Sequence, residues 1–102
     1  MISLLRRNKI AQAALDGRLS LLGLARKTGT TVFYIADCTL SYLIDQEVAS
    51  AAADTSQGLV LKLATSALTK LIENQGLSLP GYSVSDHASE LLRSRQQEAD
   101  KA

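Results

Sequence analysis

The chain has 102 residues, of which 46% are hydrophobic and 21% are charged, and its formal net charge is +1. A chain of this length and composition forms one globular domain that buries roughly 60 to 70% of its unfolded surface. It contains three tyrosines, one phenylalanine and no tryptophan. We therefore expect a core of leucine, alanine, isoleucine and valine, which suits helices better than sheets.

The composition also argues against several classes of protein. Cys38 is the sole cysteine and His87 the sole histidine, so one chain offers neither an intrachain disulfide nor a plausible zinc site. No Gly-rich phosphate loop is present, and no serine or threonine has a candidate base, because His87 is expected on the exposed surface of a helix. No charge-free apolar run approaches the ~20 residues that span a bilayer. We expect a cytoplasmic protein that is not an enzyme, carries no cofactor or metal and does not bind membranes.

The small net charge conceals an uneven distribution. Residues 1–35 carry six basic side chains and one acidic side chain, whereas residues 36–102 carry five basic and nine acidic side chains. A basic first third can attract a polyanion such as DNA, and an acidic remainder can face a basic protein partner.

The N-terminal segment Ile2–Asn8 has two interpretations. As a strand it would place Arg6 and Asn8 on one face, and these residue types suit guanine and adenine in the major groove. Alternatively, the same residues are the first turns of a helix that continues through Ala14. Gly17 is expected to break the chain before a further helix over residues 18–27.

The stretch from Leu24 to Glu47 predicts a helical hairpin. Gly29 follows two basic residues and is the natural left-handed end of the first helix. Thr30 or Thr31 then caps the second helix, which is apolar on more than one side and so needs partners on two sides. A second copy of the chain would supply one of them.

This hairpin resembles that of ribbon-helix-helix DNA-binding proteins, particularly the antitoxins of toxin-antitoxin pairs. The resemblance covers about 24 of the 102 residues, and Cys38 stands where that family has a small residue. The matching residues are Leu24, Ala25, Thr28, Gly29, Thr31, Phe33, Tyr34, Ile35, Leu40, Tyr42 and Leu43. The resemblance implies an intertwined homodimer, a DNA-contacting N-terminal strand and a toxin-binding segment after the hairpin.

A helix-turn-helix is the competing interpretation, because Ala25, Gly29 and Ile35 have the spacing of that motif. Its second helix would enter the major groove and should expose basic or amide side chains. No Lys, Arg or Asn lies between Thr30 and Glu47, and the carboxylate of Asp37 would repel phosphate. The charge pattern favours the ribbon version, although the distance between Arg7 and Ala25 is longer than that family requires.

The C-terminal half predicts two more helices. Thr55 or Ser56 is the expected cap of an amphipathic helix over residues 59–74 that ends at Gly76. Pro80 and Gly81 predict a type II turn. Ser83 and Asp86 then form a capping box for a last helix that begins at Val84 and extends to about Gln97. These two helices could bind a protein partner or fold back over the hairpin.

Together these patterns predict a mainly α-helical DNA-binding homodimer with a short N-terminal strand, acting as a transcriptional repressor or antitoxin. Residues 1–53 would form the dimerising DNA-binding domain and residues 54–102 a helical extension. The alternative is a helical assembly or adaptor protein, such as a phage structural or secretion component, that does not bind nucleic acid. Such a protein would form a symmetric homo-oligomer larger than a dimer or bind a dedicated protein partner. The expected DNA contacts are Arg6, Arg7, Asn8, Lys9, Arg26, Lys27, Thr30 and Thr31, and the expected dimer core is Val32, Phe33, Ile35, Leu40 and Leu43.

Overall fold

A computed structural model describes residues 3–50 and 56–101 of the chain. Within these ranges all regular secondary structure is helical, which confirms the mainly α prediction. No helix in the described part of the chain is long and apolar enough to cross a bilayer. The helices are α1 (Leu4–Leu15), α2 (Leu21–Thr28), α3 (Val32–Ser50), α4 (Gln57–Asn74) and α5 (Val84–Lys101).

The N-terminal strand prediction is wrong for residues 4–8, which form the start of α1; Ile2 lies outside the described residues. The Ser3 hydroxyl caps this helix by accepting a hydrogen bond from the Arg6 amide at 3.2 Å. Ile10 and Ala14, one helical turn apart, are buried together with Ala11. Because the buried residues have helical spacing, this segment is a helix. The weak alternation of polar and apolar side chains in the first eight residues does not decide its structure.

The turn between α2 and α3 follows the prediction. Gly29 ends α2 in the left-handed conformation, with a φ of 67°. The Thr31 hydroxyl then accepts a hydrogen bond from the Tyr34 amide at 3.1 Å, which is an N-cap interaction at the start of α3. Two helices thereby meet at a fixed angle across three residues.

The caps predicted for the C-terminal half are also present. Ser56 caps α4, and the Ser83 hydroxyl accepts a hydrogen bond from the Asp86 amide at 3.3 Å. Gly81 has a φ of 78°, and the Tyr82 amide donates to the Leu79 carbonyl at 3.0 Å, as a type II turn requires. α5 continues to Lys101 rather than ending near residue 97, since this polar tail contains neither glycine nor proline.

α3 forms the centre of the molecule and packs against each of the other four helices. One face of α3, with Ile35 and Cys38, joins α1 and α2 in one buried cluster, and another face, with Ala36, Leu40 and Ile44, joins α4 and α5 in a second. Leu71 and Ile72 of α4 pack against both clusters. The first cluster contains Ile10, Ala14, Leu21, Leu24, Ala25, Ile35 and Cys38, and the second contains Ala36, Leu40, Ile44, Ala64, Leu68, Ala88 and Leu92.

The apolar surface of α3 therefore finds its partners within one chain. Of the five residues expected in a dimer core, Ile35 and Leu40 are completely buried by helices of the same chain. Val32 and Leu43 are partly buried against the two clusters. Phe33 is the exposed member of the set, with 42% of its surface accessible. A second copy is not needed to bury this helix, because α4 and α5 fold back over the hairpin.

The boundary expected between residues 53 and 54 falls outside the described residues. On either side of it, α4 packs along α3 and places Ala64 and Leu68 in the same cluster as Leu40 and Ile44. The C-terminal half thus completes the core of the N-terminal half.

Candidate nucleic-acid interface

A cleft of about 550 Å³ lies between α1 and α2. Four cationic side chains line it, contributed by α1, by the loop after it and by α2. We call this cleft, with its nine lining residues, the basic cleft. Those residues are Arg6, Lys9, Ile10, Ala13, Arg18, Leu19, Leu24, Lys27 and Thr28.

Helical spacing sets the α1 side of the basic cleft. Arg6, Lys9 and Ala13 recur at intervals of three and four residues, so they share one face of the helix. The two cations lie on the exposed part of that face, and Ala13 lies closer to the core. Because Ile10 and Ala14 are buried, the rotation of α1 is fixed and the cations are held toward α2.

The other two cations come from the loop and from α2. Arg18 follows Gly17, whose φ of 73° turns the chain at the end of α1. Lys27 lies in the last turn of α2, where the negative end of the helix dipole favours a cation. The turn between α1 and α2 therefore places Arg6 and Lys9 of α1 opposite Lys27 of α2.

The lining of the basic cleft carries four positive charges. Among the residues that the structure describes, no carboxylate lines it. Asp16 lies 3.7 Å from Arg18, but both side chains are largely exposed, so water screens this ion pair strongly. Ile10, Ala13, Leu19 and Leu24 supply the apolar part of the lining. Low-dielectric walls beside cations of one sign strengthen their attraction for a polyanion.

Three of the eight predicted DNA contacts, Arg6, Lys9 and Lys27, meet in the basic cleft. Arg7 lies elsewhere on α1, where its guanidinium is 4.0 Å from the Asp37 carboxylate and 6.0 Å from the centre of the Tyr34 ring. Asn8 is half-buried and does not line this cleft, and Arg26 is exposed outside it.

The two predicted phosphate anchors have structural partners. The Thr30 hydroxyl shares a hydrogen bond of 2.8 Å with the Thr28 hydroxyl, and Thr31 caps α3. Arg18 was not among the predicted contacts, although it belongs to the same basic third of the chain. Its position directly after Gly17 was the available signal, since a turn at that glycine returns the next side chains toward α1.

The hairpin also bears on the helix-turn-helix interpretation. Ala25 and Ile35 are buried and Gly29 is left-handed, as that motif requires. However, the accessible start of α3 presents Phe33 and Asp37, neither of which is a donor to base edges. The cationic surface is instead formed by α1, its following loop and α2.

Comparison of this chain with protein-family models, curated proteins and solved structures finds no match.

Proposed function

We propose that this protein is a small DNA-binding regulator that contacts the phosphate backbone through the basic cleft. One observation carries the proposal: Arg6, Lys9, Arg18 and Lys27 converge from three segments on one cleft. Arginine and lysine side chains that neutralise phosphates release condensed counterions, and this release supplies most of the non-specific affinity for DNA. A regulatory role as a repressor or antitoxin, as the hairpin resemblance implies, is part of the proposal.

The proposed binding mode differs from both modes inferred from the sequence. The ribbon mode needs a strand where residues 4–8 are helical. The helix-turn-helix mode needs α3 in the major groove, yet its accessible first turns carry a carboxylate and no cation. Contacts from α1 and α2 to phosphates, without base readout from α3, agree better with the charges.

The proposal is tested with the paired substitution Arg6→Ala and Lys9→Ala. If both side chains contact phosphates, the slope of log affinity against log salt concentration should become shallower by roughly 0.9 for each lost contact. The measurement is fluorescence anisotropy of a labelled random-sequence duplex titrated with protein at several salt concentrations.

The matched control is the pair Lys62→Ala and Lys70→Ala, which removes the same charge from exposed positions on α4. This control should leave the salt dependence close to that of the parent protein. Absence of binding by the parent protein at low salt, or equal losses in both paired variants, would count against the basic cleft as a DNA interface.

A homodimer is also part of the proposal, because many proteins bind duplex DNA as two-fold symmetric dimers. Its support is that Leu4 and Leu5, beside the cations of α1, are 65% and 66% exposed. A second copy could cover these leucines and place two basic clefts on one duplex. Light scattering should then give the mass of two chains.

The second candidate function is a helical assembly or adaptor protein. It is favoured by Leu59 and Leu63, one helical turn apart on α4 and each 46% exposed. Such a stripe suits contact with a protein partner. An assembly larger than a dimer in the same light-scattering measurement, together with no DNA binding, would favour this candidate over the DNA-binding regulator.

A further inference from the structure

A second cleft, of about 350 Å³, lies between the start of α3 and the first turn of α5 with the segment that precedes it. We call it the aromatic cleft and define it by its six lining residues. They are Phe33, Tyr34, Asp37, Gly81, Tyr82 and His87.

The rings of the aromatic cleft are held by one another. Tyr82 stacks on the His87 imidazole with ring centres 4.4 Å apart and planes inclined by 21°. Phe33 packs against the same tyrosine at an angle of 57°, with ring centres 6.2 Å apart. The Pro80–Gly81 turn delivers Tyr82 to this position. These contacts keep the walls of the cleft in place without a ligand.

Besides its two tyrosine hydroxyls, the aromatic cleft contains the polar side chains of His87 and Asp37. His87 Nδ1 lies 3.0 Å from the Ser83 carbonyl. A carbonyl only accepts, so Nδ1 donates this hydrogen bond and leaves Nε2 as an acceptor when the imidazole is neutral. Asp37 contributes a carboxylate that is 37% exposed. Within the described part of the chain, no Lys or Arg lines this cleft.

The electrostatics favour a cation. Aromatic rings present negative faces, and a carboxylate at the same site adds a full negative charge. Burial raises the pKa of Tyr82 above its usual range, and the Asp37 carboxylate raises it further. The charge of Asp37 therefore acts across this cleft.

Arg7 identifies which cation suits this environment. Its guanidinium already lies 4.0 Å from Asp37 and 6.0 Å from the Tyr34 ring centre, at the edge of the aromatic cleft. Both distances are long, so this internal contact satisfies the carboxylate only partly. A planar guanidinium combines bidentate hydrogen bonding to a carboxylate with stacking on a ring.

We propose that the aromatic cleft binds the guanidinium group of an arginine side chain, either free or within a basic peptide. Asp37 pairs with the guanidinium, Phe33 and Tyr82 provide the aromatic walls, and Arg7 is an internal competitor for the same carboxylate. The site is separate from the basic cleft and does not depend on DNA binding.

The test is a titration of the isotope-labelled full-length protein with N-acetylarginine amide, followed by two-dimensional NMR. The neutral control ligand is N-acetylcitrulline amide, which keeps the planar group and loses the charge. We expect amide shifts that cluster at the start of α3 and around Tyr82 with the arginine derivative, and binding of the citrulline derivative weaker by roughly tenfold or more. Equal binding of the two ligands would overturn the proposal.

Three variants assign the roles. Asp37→Asn keeps the shape of the cleft and should lower affinity for the arginine derivative by roughly tenfold, whereas Asp16→Asn, an exposed carboxylate far along the chain, should not change it. Arg7→Gln removes the competitor and should maintain or raise affinity. Unchanged binding in Asp37→Asn, or a loss in Arg7→Gln, would contradict the assignment. Circular dichroism and thermal unfolding of each variant check that the fold is retained.

A short peptide with one central arginine separates the two sources of the guanidinium. Binding at least tenfold tighter than that of N-acetylarginine amide would indicate a protein ligand, because flanking residues add contacts. Equal affinity would indicate a free guanidinium compound. Failure of the basic-cleft variants to alter DNA binding would leave this result unaffected, since the titration contains no DNA and the two clefts share no lining residue.

Discussion

Gly29 fixes the angle between α2 and α3 through its backbone alone. Its φ is 67°, and a Cβ built at this position would meet nothing within 4 Å. Gly29→Ala would therefore create no clash, but it would force an alanine into the left-handed region, at a cost of about 1–2 kcal/mol. Chemical denaturation should show this loss in the free energy of unfolding.

Gly58→Ala is the matched control for this substitution. Gly58 lies in the first turn of α4, and the atom nearest to an added Cβ is the Ser56 hydroxyl oxygen at 4.0 Å. Alanine is favoured over glycine in a helix by up to about 1 kcal/mol, so this variant should be as stable as the parent or more stable. Equal destabilisation by both substitutions would show that the left-handed conformation is not the cause.

At the level of elements, α5 is joined to α3 by a polar contact as well as by apolar packing. Arg95 donates to the two carboxylate oxygens of Asp45 at 2.7 and 3.1 Å, and to the Ser41 hydroxyl at 2.5 Å. Its side chain is 28% exposed and that of Asp45 41% exposed, so solvent screens the pair only in part. A double-mutant cycle with Arg95→Gln and Asp45→Asn should give a coupling energy of about 1 kcal/mol.

The Arg18–Asp16 pair supplies the comparison for that cycle. It has a single contact at 3.7 Å, with side chains 77% and 55% exposed. The same pair of substitutions there should give no measurable coupling. A coupling for Arg95 and Asp45 as small as this one would show that α5 is held by its apolar face alone.

Elements governed by local chemistry could be predicted from the sequence. Gly29, Ser56, Ser83 and the Pro80–Gly81 turn each act within four residues of the chain, and each lies where the pattern placed it. The start of α1 could not be predicted in this way, because the pattern of its first residues fits both a strand and a helix. The choice depends on burial of Ile10 and Ala14 against other helices, and no local signal contains that information.

In the candidate sites too, the sequence predicts the local features, whereas the contacts between distant segments depend on the fold. The sequence alone predicts that Arg6, Lys9 and Lys27 belong to a basic surface, since they lie in the basic first third of the chain. Their convergence with Arg18 depends on how α1 and α2 cross. The aromatic cleft joins Phe33 to Tyr82 across 49 positions of sequence, and no spacing rule predicts a contact of that range.

At the scale of the whole molecule, the two buried clusters share α3 and the side chains of Leu71 and Ile72. This sharing predicts that the two halves unfold together. Cys38 reports on the first cluster, because its thiol is 2% exposed and reacts with a thiol reagent only when that cluster opens. Leu68 is fully buried in the second cluster and does not belong to the first.

Leu68→Ala should therefore accelerate labelling of Cys38 even though the substitution lies in the other cluster. Removal of a buried leucine side chain lowers the free energy of unfolding by about 2–5 kcal/mol. If Cys38 is exposed only by global unfolding, its labelling rate should rise by the corresponding factor, at least about thirtyfold. The exposed leucine of α4, in Leu63→Ala, is the control and should leave the rate nearly unchanged. Labelling that stays slow in Leu68→Ala while α4 and α5 lose structure would mean that residues 3–50 hold together without them, as the domain boundary predicted near residue 53 implies.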